Sequence, residues 1–151
     1  MFKTEQEAKS AALYLLSRRE YSRKELTEKL AKKSESIGLD NVLNELVQSG
    51  YQSDRRFTES FIRMRIGQGH GLIRIRFDLQ RKGIQSEMIE QVLESMEPDW
   101  FELAQELYRR KYRTALAAND YKDKAKRIRY MSQRGFSMDQ CLYAMAENDQ
   151  N

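Results

Sequence analysis

Large apolar residues recur every three to four positions along nearly the whole chain, the period of helices that each bury one face. Ala8, Ala12, Leu15 and Leu16 fit one side of a first helix. Ser22-Arg23-Lys24-Glu25 follows, a capping-box pattern: the Ser22 hydroxyl accepts from a first-turn N–H and Glu25 reaches back. Leu26 and Leu30 come next, one turn apart. A polar break from Lys33 to Gly38 separates them from Val42, Leu43, Leu46 and Val47, and Gly50 stands where it can end that third helix.

The same grammar then recurs. Phe57, Phe61 and Ile62, with Met64 or Arg65, mark a fourth helix, which Gly67, Gly69 and Gly71 interrupt. Ile73, Ile75, Phe77 and Leu79 mark a fifth, ended by Gly83. Their alternation with Arg74, Arg76 and Asp78 also suits a strand, but the spacing Ile75–Leu79 and its match to Ile128–Met131 favour helix. Ser86 is expected to cap a sixth helix carrying Ile89, Val92, Leu93 and Met96. Pro98 suits the first turn of a seventh, with Leu103, Ala104, Leu107 and Ala115. Tyr121 to Gly135 reads as an eighth with Ala125, Ile128 and Met131, and a second capping box, Ser137 to Gln140, opens a ninth with Cys141, Leu142, Ala144 and Met145.

Two of these stretches superpose without a gap. Leu79 is followed by Gly83, Ile84 and Leu93, and Met131 by Gly135, Phe136 and Met145 at the same offsets. Ile84 and Phe136 each follow a glycine that can end a helix, where an apolar side chain folds back on the helix it leaves. Leu30 to Val47 keeps the same order with a longer turn, so the repeat is about 50 residues. The fold expected is all-α: three tandem three-helix repeats, residues 1–50, 51–97 and 98–151, in an elongated, curved array. A single module holds too few large apolar side chains to be very stable alone, so neighbours must share surface.

The 151 residues carry a net charge of +4, which says little until its distribution is read. From Arg55 to Lys82 there are eight basic residues against Glu59 and Asp78. From Gly83 to Tyr108 there is no Lys or Arg and there are seven acids. From Arg109 to Arg134 there are ten basic residues against Asp120 and Asp123. Basic bands of this density suit phosphates or an acidic protein surface, although charges solubilising helix faces would also account for many of them.

Candidate chemistry is sparse. One Cys and one His leave no disulfide and no ordinary zinc set, and Cys141 is expected to be a small buried hydrophobe. No apolar run approaches a membrane span, and the N-terminus lacks the apolar stretch of a signal peptide, so a cytoplasmic protein is expected. Gly67-Gln68-Gly69-His70-Gly71 lacks the Lys-Ser/Thr of a phosphate loop and reads as a sharp turn, with His70 a loop residue. The 23 acids show no paired-carboxylate spacing, and Glu87, Glu90 and Glu94 read as a solvated stripe. Neither an enzyme site nor a cofactor is expected. Helix-turn-helix DNA reading is the alternative, but the helices that would enter the groove begin Ser86-Glu87 and Ser137-Met138-Asp139, which are acidic.

Four blocks in order carry a resemblance. Tyr14 to Leu26, Gly50-Tyr51-Gln52-Ser53-Asp54-Arg55-Arg56-Phe57, Gly69-His70-Gly71 with Arg74-Ile75 and Lys82-Gly83-Ile84, and Arg134-Gly135-Phe136-Ser137 are similar to the signatures of RecX, the bacterial regulator of the RecA recombinase. Two departures are the long break from Lys33 to Gly38 and His70-Gly71-Leu72 in place of a more typical Gly-Pro. The resemblance implies a non-enzymatic protein of DNA repair and recombination that lies in the RecA filament groove and restrains ATP hydrolysis, strand exchange and filament growth. It implies a monomer whose partners are the RecA filament and, more weakly and electrostatically, single- or double-stranded DNA. The contacts expected are Arg74, Arg76, Arg81, Lys82, Arg127 and Arg129, because Arg binds two oxygens of a carboxylate or phosphate at once. Tyr21 and Tyr51 are expected to pack between modules.

Overall fold

A computed structural model describes residues 1–34 and 38–149. Among them are nine helices: α1 Glu5–Arg18, α2 Arg23–Ala31, α3 Leu39–Gln48, α4 Asp54–Gly67, α5 Leu72–Arg81, α6 Ser86–Met96, α7 Trp100–Lys111, α8 Tyr121–Gln133 and α9 Met138–Asn148. The only bridge between extended segments among the described residues joins Phe2 to Ser34. Residues 35–37 of the expected polar break lie outside the described part.

The start and stop signals act as their chemistry requires. Ser22 and Ser137 form reciprocal capping boxes with Glu25 and Gln140. Gly50, Gly83 and Gly135 follow α3, α5 and α8 with φ of +79°, +86° and +106°, a region that glycine enters without a Cβ penalty. The next N–H of each turns back to a carbonyl five residues earlier: Tyr51 to Leu46, Ile84 to Leu79 and Phe136 to Met131. Ile84 and Phe136 are buried as expected, whereas Tyr51 is 53 % exposed.

Three boundaries differ from expectation. Ser86 is the first residue of α6 rather than its cap, and its hydroxyl accepts from the Gln80 amide. Pro98 precedes α7 instead of entering its first turn, because Asp99 supplies the cap by accepting from the Glu102 N–H. That helix ends at Lys111, leaving Ala115 outside it and exposed.

The chain forms two compact units, Met1–Phe61 with Leu79–Val92, and Ile62–Asp78 with Leu93–Asn151, so α4, α5 and α6 each contribute to both. The first unit contains a core of Ala8, Ala12, Tyr21, Leu26, Leu30, Val42, Leu43 and Leu46. The Arg19 guanidinium lies 3.6 Å from the centroid of the Tyr21 ring, a cation held over an electron-rich face. The second unit contains a core of Ala104, Leu107, Tyr108, Met131, Phe136, Cys141, Ala144 and Met145. Burial raises the Cys141 thiol pKa and keeps the group protonated, which suits a core residue.

Candidate functional site

The basic helix α5 is fixed at its two ends by different chemistry. Within the first unit, its last turn meets the start of α2. The Lys82 carbonyl accepts from the Ser22 hydroxyl at 2.8 Å, and the Arg81 carbonyl accepts from Lys24 Nζ at 3.2 Å. Helix C-terminal carbonyls that lack partners inside the helix are thereby satisfied. Lys82 Nζ pairs with Glu25 Oε2 at 2.9 Å, and Arg19 approaches the same carboxylate at 3.4 Å. Burial opposes the charged form of Glu25. The bonds from Lys82, the Ser22 N–H and Arg19 outweigh it and hold the carboxyl below its ordinary value.

Within the second unit, the first turn of α5 meets the turn after α8. The Gly71 N–H donates to the Arg134 carbonyl at 2.7 Å and the Ile73 N–H to the Gly135 carbonyl at 3.1 Å. A Cβ on Gly71 would lie 2.5 Å from the Gly135 carbonyl group, so glycine is required there by closeness of backbones. Arg134 reaches back to donate to the carbonyls of Gln68 and Gly69. The three-glycine segment is therefore a docked turn, as its sequence suggested, and Gly69 has φ of +82°. His70 is in the turn but only 6 % exposed, with Nδ1 3.5 Å from Arg65 Nη1. Burial first, then the nearby charges of Arg134, Arg74 and Arg65, lower its pKa to about 4 against an opposing influence of Asp78.

The six expected contact residues are not equivalent. Arg74 is exposed, with Nε 3.9 Å from Asp78 and Nη1 donating to the Gln133 carbonyl. Arg81 and Arg129 are exposed, Arg76 is half-buried, and Lys82 is held by Glu25. Arg127 is placed inside: it is 7 % exposed, its Nη1 donates to the Tyr108 hydroxyl at 2.7 Å and to the Thr114 carbonyl at 3.1 Å, and its Nη2 lies 3.1 Å from Asp123. Its guanidinium ties α7, the segment after it and α8 together, so the expectation of a surface contact at Arg127 gives way to an internal role.

Sequence reasoning passed over two kinds of residue. Arg109, Arg110 and Lys111 form the exposed last turn of α7, where cations also favour the negative end of the helix dipole. Their place in the basic band was the available signal. Ile73 and Phe77 are each 57 % exposed, while Ile75 and Leu79 on the same helix are buried. At 100° per residue, positions two apart fall on nearly opposite sides, and that signal was available too.

Sequence models of the first, second and third three-helix domains of RecX match residues 8–36, 53–93 and 97–145. The chain belongs to the RecX family. The regulatory protein RecX of Vibrio parahaemolyticus is 37 % identical over 145 residues, covering 95 % of this chain and 93 % of that protein. RecX of Legionella pneumophila strain Corby is 40 % identical over 130 residues, covering 85 % and 86 %. The crystal structure of RecX from Lactobacillus salivarius superposes with a TM-score of 0.75 at 25 % identity, covering 96 % of each chain. The fold is thus that of RecX: nine helices among the described residues, matched in order by three three-helix domains. The curated relatives are named regulatory proteins. No described helix is long and apolar enough to cross a membrane.

Proposed function

We propose that this chain is a non-enzymatic, cytoplasmic regulator that binds the RecA filament on DNA as a monomer and restrains its ATP hydrolysis, strand exchange and growth. The observation that carries the reading is the ordered match of three RecX domains along the chain. The modules it would present are residues 1–50, 51–97 and 98–151. Exposed arginines on α5 and α8 support a contact with acidic protein surface or phosphate, Arg being suited to two oxygens at once. The contacts assigned are Arg74, Arg81 and Arg129, with Arg76 and Lys82 beside them; Arg127 is committed to Tyr108, Thr114 and Asp123.

The test is to add the protein to RecA on single-stranded DNA and follow ATP hydrolysis. Inhibition is expected at amounts well below that of RecA, and its absence would sink the reading. Charge reversal of Arg74, Arg76 and Arg81 together should weaken inhibition; full inhibition by that variant would move the contact elsewhere. A stand-alone DNA-binding protein would instead bind bare DNA with a log–log salt slope of about −0.9 per phosphate contacted. The acidic starts of α6 and α9 disfavour that alternative.

A further inference from the structure

The basic bands leave one part of the second unit without cations of its own sequence. Residues 93–108 contain no Lys or Arg, and neither do residues 135–151. The fold packs these two stretches together, because α7 lies along α9. Four large apolar side chains stay exposed there: Phe101 at 42 %, Met138 at 53 %, Leu142 at 40 % and Tyr143 at 39 %. Phe101 and Tyr143 meet edge to face at 5.3 Å, which holds both rings in place. Met138 and Leu142 are one turn apart on α9.

Exposed carboxylates of Asp139 and Glu147 each stand one turn from Tyr143 on α9. On α7, Arg109 Nη2 stands 4.0 Å from Glu102 Oε1 with both side chains about half exposed. An ion pair of that length and exposure is weak and easily exchanged.

We propose that this α7–α9 face docks a segment of a partner protein that carries Lys or Arg beside large apolar side chains. Aromatic and methionine side chains are favoured at the centres of protein interfaces, and contiguous exposed apolar surface marks such sites. The carboxylates select a basic occupant and repel phosphate, so nucleic acid and anionic membrane are disfavoured. The assignment is independent of the recombinase reading, since it rests on the exposed apolar side chains and α9 carboxylates and not on the arginines of α5 and α8.

The probe is a fluorescein-labelled amphipathic peptide of Leu and Lys, about four helical turns long, titrated with the full chain and followed by anisotropy. Saturable binding is expected, and a Leu/Glu peptide of the same pattern should not bind. Met138→Glu with Leu142→Glu should weaken binding at least about tenfold, a readily measured change in Kd. These substitutions add negative charge, so a purely electrostatic attraction would be kept or strengthened by them. Circular dichroism checks the fold, and Asp139→Lys with Glu147→Lys provides a second, solvent-exposed pair that should also weaken binding. Unchanged binding in both variants, or equal binding of the Leu/Glu peptide, overturns the proposal. So does a dimer in sedimentation that Met138→Glu with Leu142→Glu abolishes, which would assign the face to a second copy. Loss of single-stranded oligonucleotide binding in that variant would assign it to nucleic acid and overturn the proposal as well.

Discussion

Gly83 and Gly135 end α5 and α8 with the same left-handed turn, yet they land on different surfaces. A Cβ on Gly83 would meet Lys24 side-chain atoms, the nearest at 2.8 Å. A Cβ on Gly135 would meet Arg74 Cβ at 2.6 Å and its backbone N at 2.8 Å. Around Gly83 the junction is made by side chains: the Ser22 hydroxyl, Lys24 Nζ and the Glu25–Lys82 pair. Around Gly135 it is made by main chain, with the Gly71 and Ile73 N–H groups donating directly. Side chains can shift by rotamer changes, whereas two backbones in contact can separate only if a helix moves. The main-chain junction should therefore be the less tolerant of substitution, and the side-chain junction the more dependent on charge.

The largest effect is expected from Gly71→Ala. Its Cβ would face the Gly135 carbonyl carbon and oxygen at 2.5 Å and the Phe136 N at 2.7 Å, all backbone. Overpacking against atoms that cannot rotate away should cost about 3 kcal/mol or more. Denaturant unfolding gives the loss directly, and hydrogen exchange should show the Gly71 and Ile73 amides losing protection. A variant as stable as the parent would mean that the junction is loose.

Acid should separate the two junctions next. His70 has its pKa lowered to about 4 from 6.5, so the folded state resists the proton that the unfolded chain accepts. Its contribution is complete above pH 6.5, declines as pH falls toward 4, and has gone below that. Up to about 3 kcal/mol is at stake from a shift of this size. Arg134, Arg74 and Arg65 face the imidazole and add to the penalty for protonation, while Asp78 relieves it. Unfolding curves collected between pH 7 and pH 4 should show the decline, and His70→Gln should flatten it. A parallel slope in both proteins would remove His70 as the cause.

Most of the fold was legible because capping and C-terminal glycine signals are local. Ser22 with Glu25, Ser137 with Gln140, and Gly83 with Ile84 each act within a few residues of themselves. The site was less legible because its decisive contacts are long-range. Gly71 could be read as a turn residue, but nothing near it announces that Gly135 closes on it. Arg127 looked like its neighbours on a basic helix, and only the Tyr108 hydroxyl and Thr114 carbonyl from elsewhere in the chain explain its burial. Tyr21 and Tyr51 occupy similar blocks, yet one is 7 % and the other 53 % exposed. Apolar periodicity could have sorted Ile73 and Phe77 from Ile75 and Leu79, since it fixes the buried side once one core residue is known.

Gly83→Ala sharpens the comparison at the other glycine. With φ of +86° the alanine would sit in the left-handed region, at a cost of about 1–2 kcal/mol. Of the closest neighbours, Lys24 Cβ at 2.8 Å is fixed to α2, while Lys24 Cδ at 3.0 Å can swing away, so only part of the contact is rigid and none of it is main chain. Chemical denaturation should therefore rank Gly83→Ala clearly milder than Gly71→Ala. The reverse order would break the distinction between side-chain and main-chain junctions.

Glu25→Gln is expected to have the smallest effect and to carry its own pH signature. Glutamine can still accept from the Ser22 N–H, so the capping box survives and the loss is confined to charge. Lys82 and Arg19 remain partly exposed, which limits that loss to about 1 kcal/mol or less near neutral pH. The Glu25 pKa is held below its ordinary value of 4.5, so its contribution is present above that value and disappears as pH falls through the lowered one. Stability of the two proteins should therefore differ at pH 7, still differ at pH 5 where His70 has already begun to destabilise both, and converge at lower pH. Added salt should narrow the gap at pH 7, because exposed charges are screened. A gap that persists in strong acid would place the contribution of Glu25 in packing instead of charge and would remove the electrostatic half of the contrast with Gly71.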